Sequence, residues 1–248
     1  MNIIKSRENE KIKLLKKLSQ KKYRDRLGLF CVENYKIIID AYAFGYVPIM
    51  LFIKEEMEIN NDLKQKVDQV FLIDSKINEA FSELDTPPGI CAVYEEKKHE
   101  INMNKSILYL NGVSDPGNMG TIMRTALAFG VENVVGDEKC ADIYNSKTIQ
   151  AAKDSVFKLN FVKDKNLSLL KTIKKNMKIF STRMRDAKDV KSIGRPETFC
   201  LVLGSEAHGV NSEVENLSDE FIKIDIDKKM ESLNVAVAGG IILHALSK

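Results

Sequence analysis

Two consecutive α/β domains are the fold this sequence predicts, and three observations carry that reading. Short apolar runs alternate with segments of helical period along the chain. The alternation is interrupted by Glu95-Glu96-Lys97-Lys98-His99-Glu100, polar residues with no apolar anchor, as at a domain boundary. A chain of 248 residues accommodates two modest domains, each able to bury a core. The expected domains are 1–97 and 104–248.

Taken in order, Ile4, Ile12, Leu15 and Leu18 recur at near-helical spacing among lysines and predict an amphipathic first helix. Gly28–Val32 reads as a strand, Tyr35–Phe44 as a helix, and Pro48–Ile53 and Val70–Ile73 as strands. Ser75–Phe81 reads as a short helix capped by Ser75. The turn Asp85-Thr86-Pro87-Pro88-Gly89 leads into a strand at Ile90–Tyr94. Beyond the polar break follow strand Ser106–Leu110, helix Met119–Phe129, strand Glu132–Val135, helix Leu167–Asn176 and strands Lys178–Ser181, Phe199–Leu203 and Phe221–Ile224. A final helix begins near Ser232. Between Asp137 and Lys165 the pattern assigns no element.

Charge is unevenly placed. The whole chain carries +3, but residues 1–26 hold ten basic side chains against three acids, a net +7 that leaves −4 for the remainder. Such a cluster attracts phosphates through counterion release, and it serves equally as the solvated face of a Lys-rich helix. The four cysteines are dispersed with no C-x-x-C, and there are three histidines, so a zinc site or disulfide framework is not expected. The N-terminus has no apolar stretch of secretory type, and Val235–Leu246 is too short to span a bilayer. A cytoplasmic protein with reduced thiols and no membrane partner is the expectation.

Three motifs each follow an apolar strand. The first runs from Asn111 to Ala126 and contains Asp115-Pro116-Gly117-Asn118, which fits a ligand loop or a simple β-turn with Asn118 as helix cap. The second, Gly204-Ser205-Glu206-Ala207-His208-Gly209, sets a carboxylate just past a buried strand, either at a cleft mouth or in an ordinary loop. His208 reads as exposed loop. The third ends Ser232-Leu233-Asn234-Val235-Ala236-Val237-Ala238, where Ser232 or Asn234 caps a helix of small residues. Neither G-x-G-x-x-G nor a P-loop accompanies them, so dinucleotide or nucleoside triphosphate binding of those kinds is not supported.

In order and spacing together, these motifs resemble the SpoU (TrmH) family of RNA 2′-O-ribose methyltransferases, of the SPOUT superfamily. The family pattern Asn/Asp-x-x-x-Asp-Pro-Gly-Asn-x-Gly-x-x-x-Arg-Thr-Ala is matched from Asn111 to Ala126, Gly-x-Glu-x-x-Gly from Gly204 to Gly209, and Ser-Leu-Asn-Val-x-Val-Ala from Ser232 to Ala238. Upstream, Lys22-x-Arg24 and Gly28-x-Phe30-x-Val32-Glu33 are similar to the family's small front domain, an RNA-binding α/β fold shared with some ribosomal proteins. The resemblance implies a C-terminal domain with a deep trefoil knot, an exception to the rule against threaded chains. It also implies a homodimer with active sites at the subunit interface.

It further implies S-adenosylmethionine as methyl donor, held by loops around Gly204, Ile224 and Leu233, and no metal. Arg124 is the family's key catalytic position. A guanidinium stays protonated in almost any site, so the role favoured here is gripping the RNA phosphate and hydroxyl rather than acting as base. Asn118, Glu206, Ser232 and Asn234 would orient Arg124 and the ribose. Ribosomal RNA is the favoured substrate, with transfer RNA second. The chain departs from the family where Ile-Pro-Met-x-Gly is common and it has Ile224-Asp225-Ile226-Asp227-Lys228. It departs also where Arg-Ala-Ser-x-Gly is common and it has Gln150-Ala151-Ala152-Lys153-Asp154, and Asn34 stands for a common Gly. A noncatalytic RNA-binding protein on this scaffold, or another nucleotide-binding α/β enzyme, are the competing readings.

Overall fold

The computed structural model describes residues 2–247. They form two compact units, one comprising the residues up to Lys97 together with Tyr144–Phe157, the other Lys98–Ile143 and the residues from Lys158 onward. The excursion 144–157 thus groups with the front unit, whereas the sequence places it inside the second domain.

The first unit is built on a mixed five-stranded sheet. Strand β1 (Asn2–Ile4) is followed by helices α1 (Glu10–Leu18) and α2 (Lys21–Leu27), β2 (Leu29–Val32), α3 (Tyr35–Ala43), β3 (Met50–Lys54), α4 (Asn61–Lys66), β4 (Gln69–Ile73), α5 (Ser75–Phe81) and β5 (Ile90–Glu95). The strand order is β1-β4-β3-β5-β2, with β5 antiparallel to both its neighbours. Ile4 lies in an edge strand paired with Ile73 rather than in the first helix. That helix is two: α1 buries Ile12, Leu15 and Leu18, and α2 ends at Gly28, whose φ of +63° favours glycine. Buried Arg24 donates to Leu18 O and Ser19 O, both at 2.7 Å, and so satisfies carbonyls left open at the end of α1. The cap of α5 is Asp74, which accepts from Ile77 N, and not Ser75.

The second unit carries an all-parallel sheet. Its elements begin with β6 (Ile107–Asn111), α6 (Pro116–Ala128) and β7 (Asn133–Gly136). The chain then supplies α7 (Ser146–Ala152) and α8 (Ser155–Lys158), the part grouped with the first unit. There Phe30 stacks on Tyr144 at 4.2 Å, Phe157 meets Tyr94 edge-on at 4.8 Å, and Asn34 Nδ2 donates to Gln150 Oε1 at 3.2 Å. Next come β8 (Asn160–Lys163), α9 (Ser168–Ile173), β9 (Ile179–Thr182), β10 (Lys188–Asp189) with a 3₁₀ turn at Val190–Ser192, and β11 (Cys200–Gly204). The chain closes with α10 (Ser212–Glu215), β12 (Glu220–Lys223) and α11 (Val235–Leu246). Strand order is β10-β12-β9-β11-β6-β7-β8, and every pair is parallel. Central strands β6 and β11 are buried along their whole length, which explains their unbroken apolar runs. Among the described residues no helix is long and apolar enough to cross a membrane.

Candidate active site

In the second unit Gly204, the last residue of β11, is the register partner of Asn111, the last residue of β6. The first two motifs therefore leave the sheet side by side. From β6 the chain goes on to β7 on one flank, whereas β12, which follows β11, lies on the other. Such a reversal opens a crevice at the carboxyl ends of the strands, where open parallel sheets bind ligands.

Asn111 is buried and bridges two neighbouring loops. Its Nδ2 donates to Asp137 Oδ2 at 2.7 Å, and its Oδ1 accepts from Asn211 N at 2.8 Å. Asp137 falls in the stretch the sequence left unassigned, and its tie to a strand end 26 residues away has no local signature. Beside it the Cys140 thiol donates to Leu110 O, and burial pushes its pKa up to about 12, with the Asp137 charge adding to the shift.

Helix α6 is capped by Asp115, whose Oδ1 accepts from Asn118 N at 2.7 Å, with Pro116 in the first turn. Asn118 is therefore not the cap, and its side chain is available for other contacts. Asn118 Nδ2 donates to Glu206 Oε1 at 2.5 Å, and Asn118 Oδ1 accepts from Asn234 Nδ2 at 2.9 Å. Asn234 Oδ1 accepts from Ala236 N at 2.9 Å and Val237 N at 3.3 Å, so Asn234 rather than Ser232 caps α11. One residue from each motif thus joins a single hydrogen-bonded chain.

The loop carrying Glu206 closes on itself. Ser205 and Gly209 exchange backbone hydrogen bonds at 3.0 and 2.9 Å, and Gly209 has φ +67°. A Cβ on Gly204 would lie 2.1 Å from Gly209 C and 2.2 Å from Val210 N. Glycine is required there by the loop's own closure. Ile224, just beyond β12, and Leu233 are half-buried apolar side chains. On α11 a Cβ at Gly239 would meet Leu203 Cδ1 at 2.7 Å, so the helix lies directly against β11.

Two of the expected site residues stand outside the chain. Arg124 is exposed on α6, and Ser232 is exposed in the irregular segment before α11; neither bonds to Asn118, Glu206 or Asn234. Asp225 and Asp227 in the divergent segment are exposed, while Gln150 of the other divergent segment is held by Asn34 within the first unit.

The SpoU rRNA Methylase family profile matches residues 105–244, and the MRM3-like substrate binding domain profile matches residues 9–92. Over 247 residues, 99% of this chain and 99% of the relative, the sequence is 30% identical to the 23S rRNA (guanosine(2553)-2'-O)-methyltransferase RlmP of Bacillus subtilis (strain 168). The fold is similar to that of the AdoMet-bound rRNA methyltransferase from Sinorhizobium meliloti, with TM-score 0.87 and 23% identity over 98% of this chain and 96% of that one. It is likewise similar to the SpoU methyltransferase AviRb from Streptomyces viridochromogenes in complex with AdoMet, with TM-score 0.87 and 21% identity over 96% and 97% of the two chains.

Proposed function

Because the chain belongs to the SpoU rRNA methylase family, we propose that it methylates a ribose 2′-hydroxyl of ribosomal RNA with S-adenosylmethionine as donor. The observation that carries this reading is the chain Glu206–Asn118–Asn234, which brings one polar side chain from each motif to one place beside the end of β11. The residues around that point fit the donor. The tightly closed 204–209 loop offers a rigid backbone wall, and half-buried Ile224 and Leu233 offer apolar contact to an adenosyl group. The donor supplies a methyl group already activated by a sulfonium, so no metal is called for. Arg124 holds the RNA phosphate next to the reacting ribose, and Ser232 supplies a further hydrogen bond to it. Asn118 and Asn234 hold Glu206 in place.

Residues 1–97 are the RNA-recognising part and residues 104–248 the catalytic part. Support for the former comes from Lys16 and Lys17, exposed on α1, and from Lys22 and Arg26, which lie 4.8 and 5.3 Å from the Tyr23 ring on α2. In the catalytic part the chain forms a trefoil knot, a reading supported by membership of the family. The protein acts as a homodimer in the cytoplasm. Val237 and Ile241, four residues apart on α11, are 52% and 41% exposed and give the apolar face that a second copy covers.

Calorimetric titration with S-adenosylmethionine tests the donor, and absence of binding with and without RNA would replace this reading by a noncatalytic RNA-binding role. Mapping of 2′-O-methyl groups over cellular RNA with and without the protein identifies the nucleotide. A site lost from transfer RNA instead would move the substrate assignment there.

A further inference from the structure

Helix α3 of the first unit ends in a pair of aromatic rings, one set against the core and one facing solvent. The helix closes on Gly45, which takes φ +88°: Gly45 N donates to Tyr42 O at 2.9 Å and Tyr46 N to Ala41 O at 3.0 Å. This closure turns the chain back at once, so Phe44 and Tyr46 flank the glycine with their rings near parallel, 7° between planes and 6.4 Å between centroids. Tyr46 is half-buried, and its ring lies 5.1 Å from that of buried Phe157, which in turn meets Tyr94. The outer ring, Phe44, is 58% exposed. Backbone closure and core packing thus fix both rings in advance, so that a flat partner laid on Phe44 would have little left to order.

Charge at this end of the sheet says what that partner is. Exposed Lys97 sets its ammonium 3.6 Å from the centroid of the Tyr46 ring. The chain leaving β5 toward Lys97 is tied to the end of α2, where Glu96 N donates to Gly28 O at 2.8 Å. Helix α2 repeats the arrangement, with Lys22 and Arg26 against Tyr23. Lys97 forms no ion pair among the described residues. An apolar protein surface laid over these rings would bury its ammonium without a counter-charge, whereas an RNA strand brings a phosphate with every base. We propose that Phe44 and Tyr46 are a stacking platform for an unpaired base of the RNA substrate, with Lys97 gripping the adjoining phosphate. The inference rests on the RNA methyltransferase reading above and adds to it a place where the strand is held. Every base has a π face, so the platform selects unpaired over paired RNA rather than one sequence over another.

The test uses the full chain, an in vitro 23S rRNA transcript, and a short unstructured RNA strand with its fully paired duplex for comparison. Phe44→Ala should weaken binding of the transcript by about 5- to 100-fold, the usual worth of one base on an aromatic ring, without altering the salt dependence, because no charge is removed. Phe44→Leu keeps an apolar side chain but no π face and should bind as weakly as Phe44→Ala. Lys97→Gln should instead lower the salt slope by about 0.7. The chain contains no tryptophan, so the one introduced by Phe44→Trp reports from this place alone; the single strand should quench its fluorescence and the duplex should not. Binding by Phe44→Ala or Phe44→Leu within about twofold of wild type, or emission that the single strand leaves unchanged, would overturn the platform and leave RNA binding elsewhere on the protein standing. Emission that shifts with protein concentration in the absence of RNA would assign the rings to a contact with a second copy of the chain and overturn it too. A wild-type protein that binds none of the three RNAs would overturn the RNA methyltransferase reading along with the platform.

Discussion

Asn234 and Asn118 are 116 residues apart in sequence and share a hydrogen bond of 2.9 Å between their side-chain amides. Each lies at the start of a helix, yet only Asn234 is a cap; in α6 that task falls to Asp115. This division separates stability from chemistry. Asp115→Ala should cost about 1 kcal/mol, the usual loss for a removed N-cap, and Asn234→Ala a similar amount. Asn118→Ala should leave stability nearly unchanged while slowing methyl transfer. Urea unfolding read beside single-turnover rates distinguishes the three.

Arg124 offers a cleaner dissociation. It is exposed, and no hydrogen bond or ion pair ties it to another described residue. Arg124→Ala should therefore change stability by no more than about 0.5 kcal/mol. Removing its charge from the RNA phosphate should lower the rate of transfer by about 10²–10³-fold, comparable to the loss of a transition-state donor. Calorimetry should find donor affinity intact. A fully active variant would remove Arg124 from the site.

Gly204→Ala is the opposite case. The added methyl would meet the backbone of Gly209 and Val210 at 2.1 and 2.2 Å, where no flexible side chain can give way. The 204–209 loop must open, at a cost of about 3 kcal/mol or more, and donor binding should be lost before the protein unfolds. Thermal unfolding and calorimetry on the same sample measure the two effects.

The basic cluster can now be divided by pairing. Lys21 is bound to Asp25, and Lys13 pairs with Glu8 and Glu10, so these contribute little free charge. Lys16, Lys17, Lys22 and Arg26 are exposed and form no ion pair among the described residues. Neutralising these four should weaken RNA binding without altering donor affinity. It should also flatten the salt dependence of binding by about 0.7 for each phosphate of a single strand that is no longer neutralised. An unchanged slope would return the cluster to ordinary solvated surface.

Burial raises the pKa of Glu33, an effect reduced by its hydrogen bonds from Ser82 and from Glu83 N. One carboxylate oxygen, Oε2, is buried with no partner. A raised folded-state pKa means that the folded chain prefers the protonated group. That contribution is present in full below the unfolded-state pKa and is lost as pH rises through the folded one. Glu33→Gln should therefore stabilise the protein at pH 7 and lose that advantage on acidification, as measured by urea unfolding at the two extremes.

Much of this architecture is legible in the residues because strands buried on both faces write themselves as apolar runs. Ile107–Leu110 and Leu201–Leu203 are of that kind. Ile4 was misleading because a three-residue edge strand has no period of its own, and its spacing to Ile12 imitates a helix. Helix α4 has a single buried side chain, Leu63, and so no stripe to read. Between Asp137 and Lys165 the apolar residues serve two purposes: Ile149 and Phe157 complete the first unit, whereas Phe161 returns to the parallel sheet of the second. The site was legible where motif residues meet one another, as Asn118, Glu206 and Asn234 do. It was not where a strand end is tied to a distant loop, as Asn111 is to Asp137, since neither residue type nor spacing announces that pair.

The excursion through residues 144–157 sets limits on how this protein can be dissected. A gene cut in the polar linker after Lys97 would yield two fragments, neither of them a whole body. The front piece would lack the rings that cover Phe30 and Tyr94, and the rear piece would carry Tyr144 and Phe157 without those two rings. Fragments made at that junction should be sticky and poorly soluble, and the two halves should recover their solubility only when produced together.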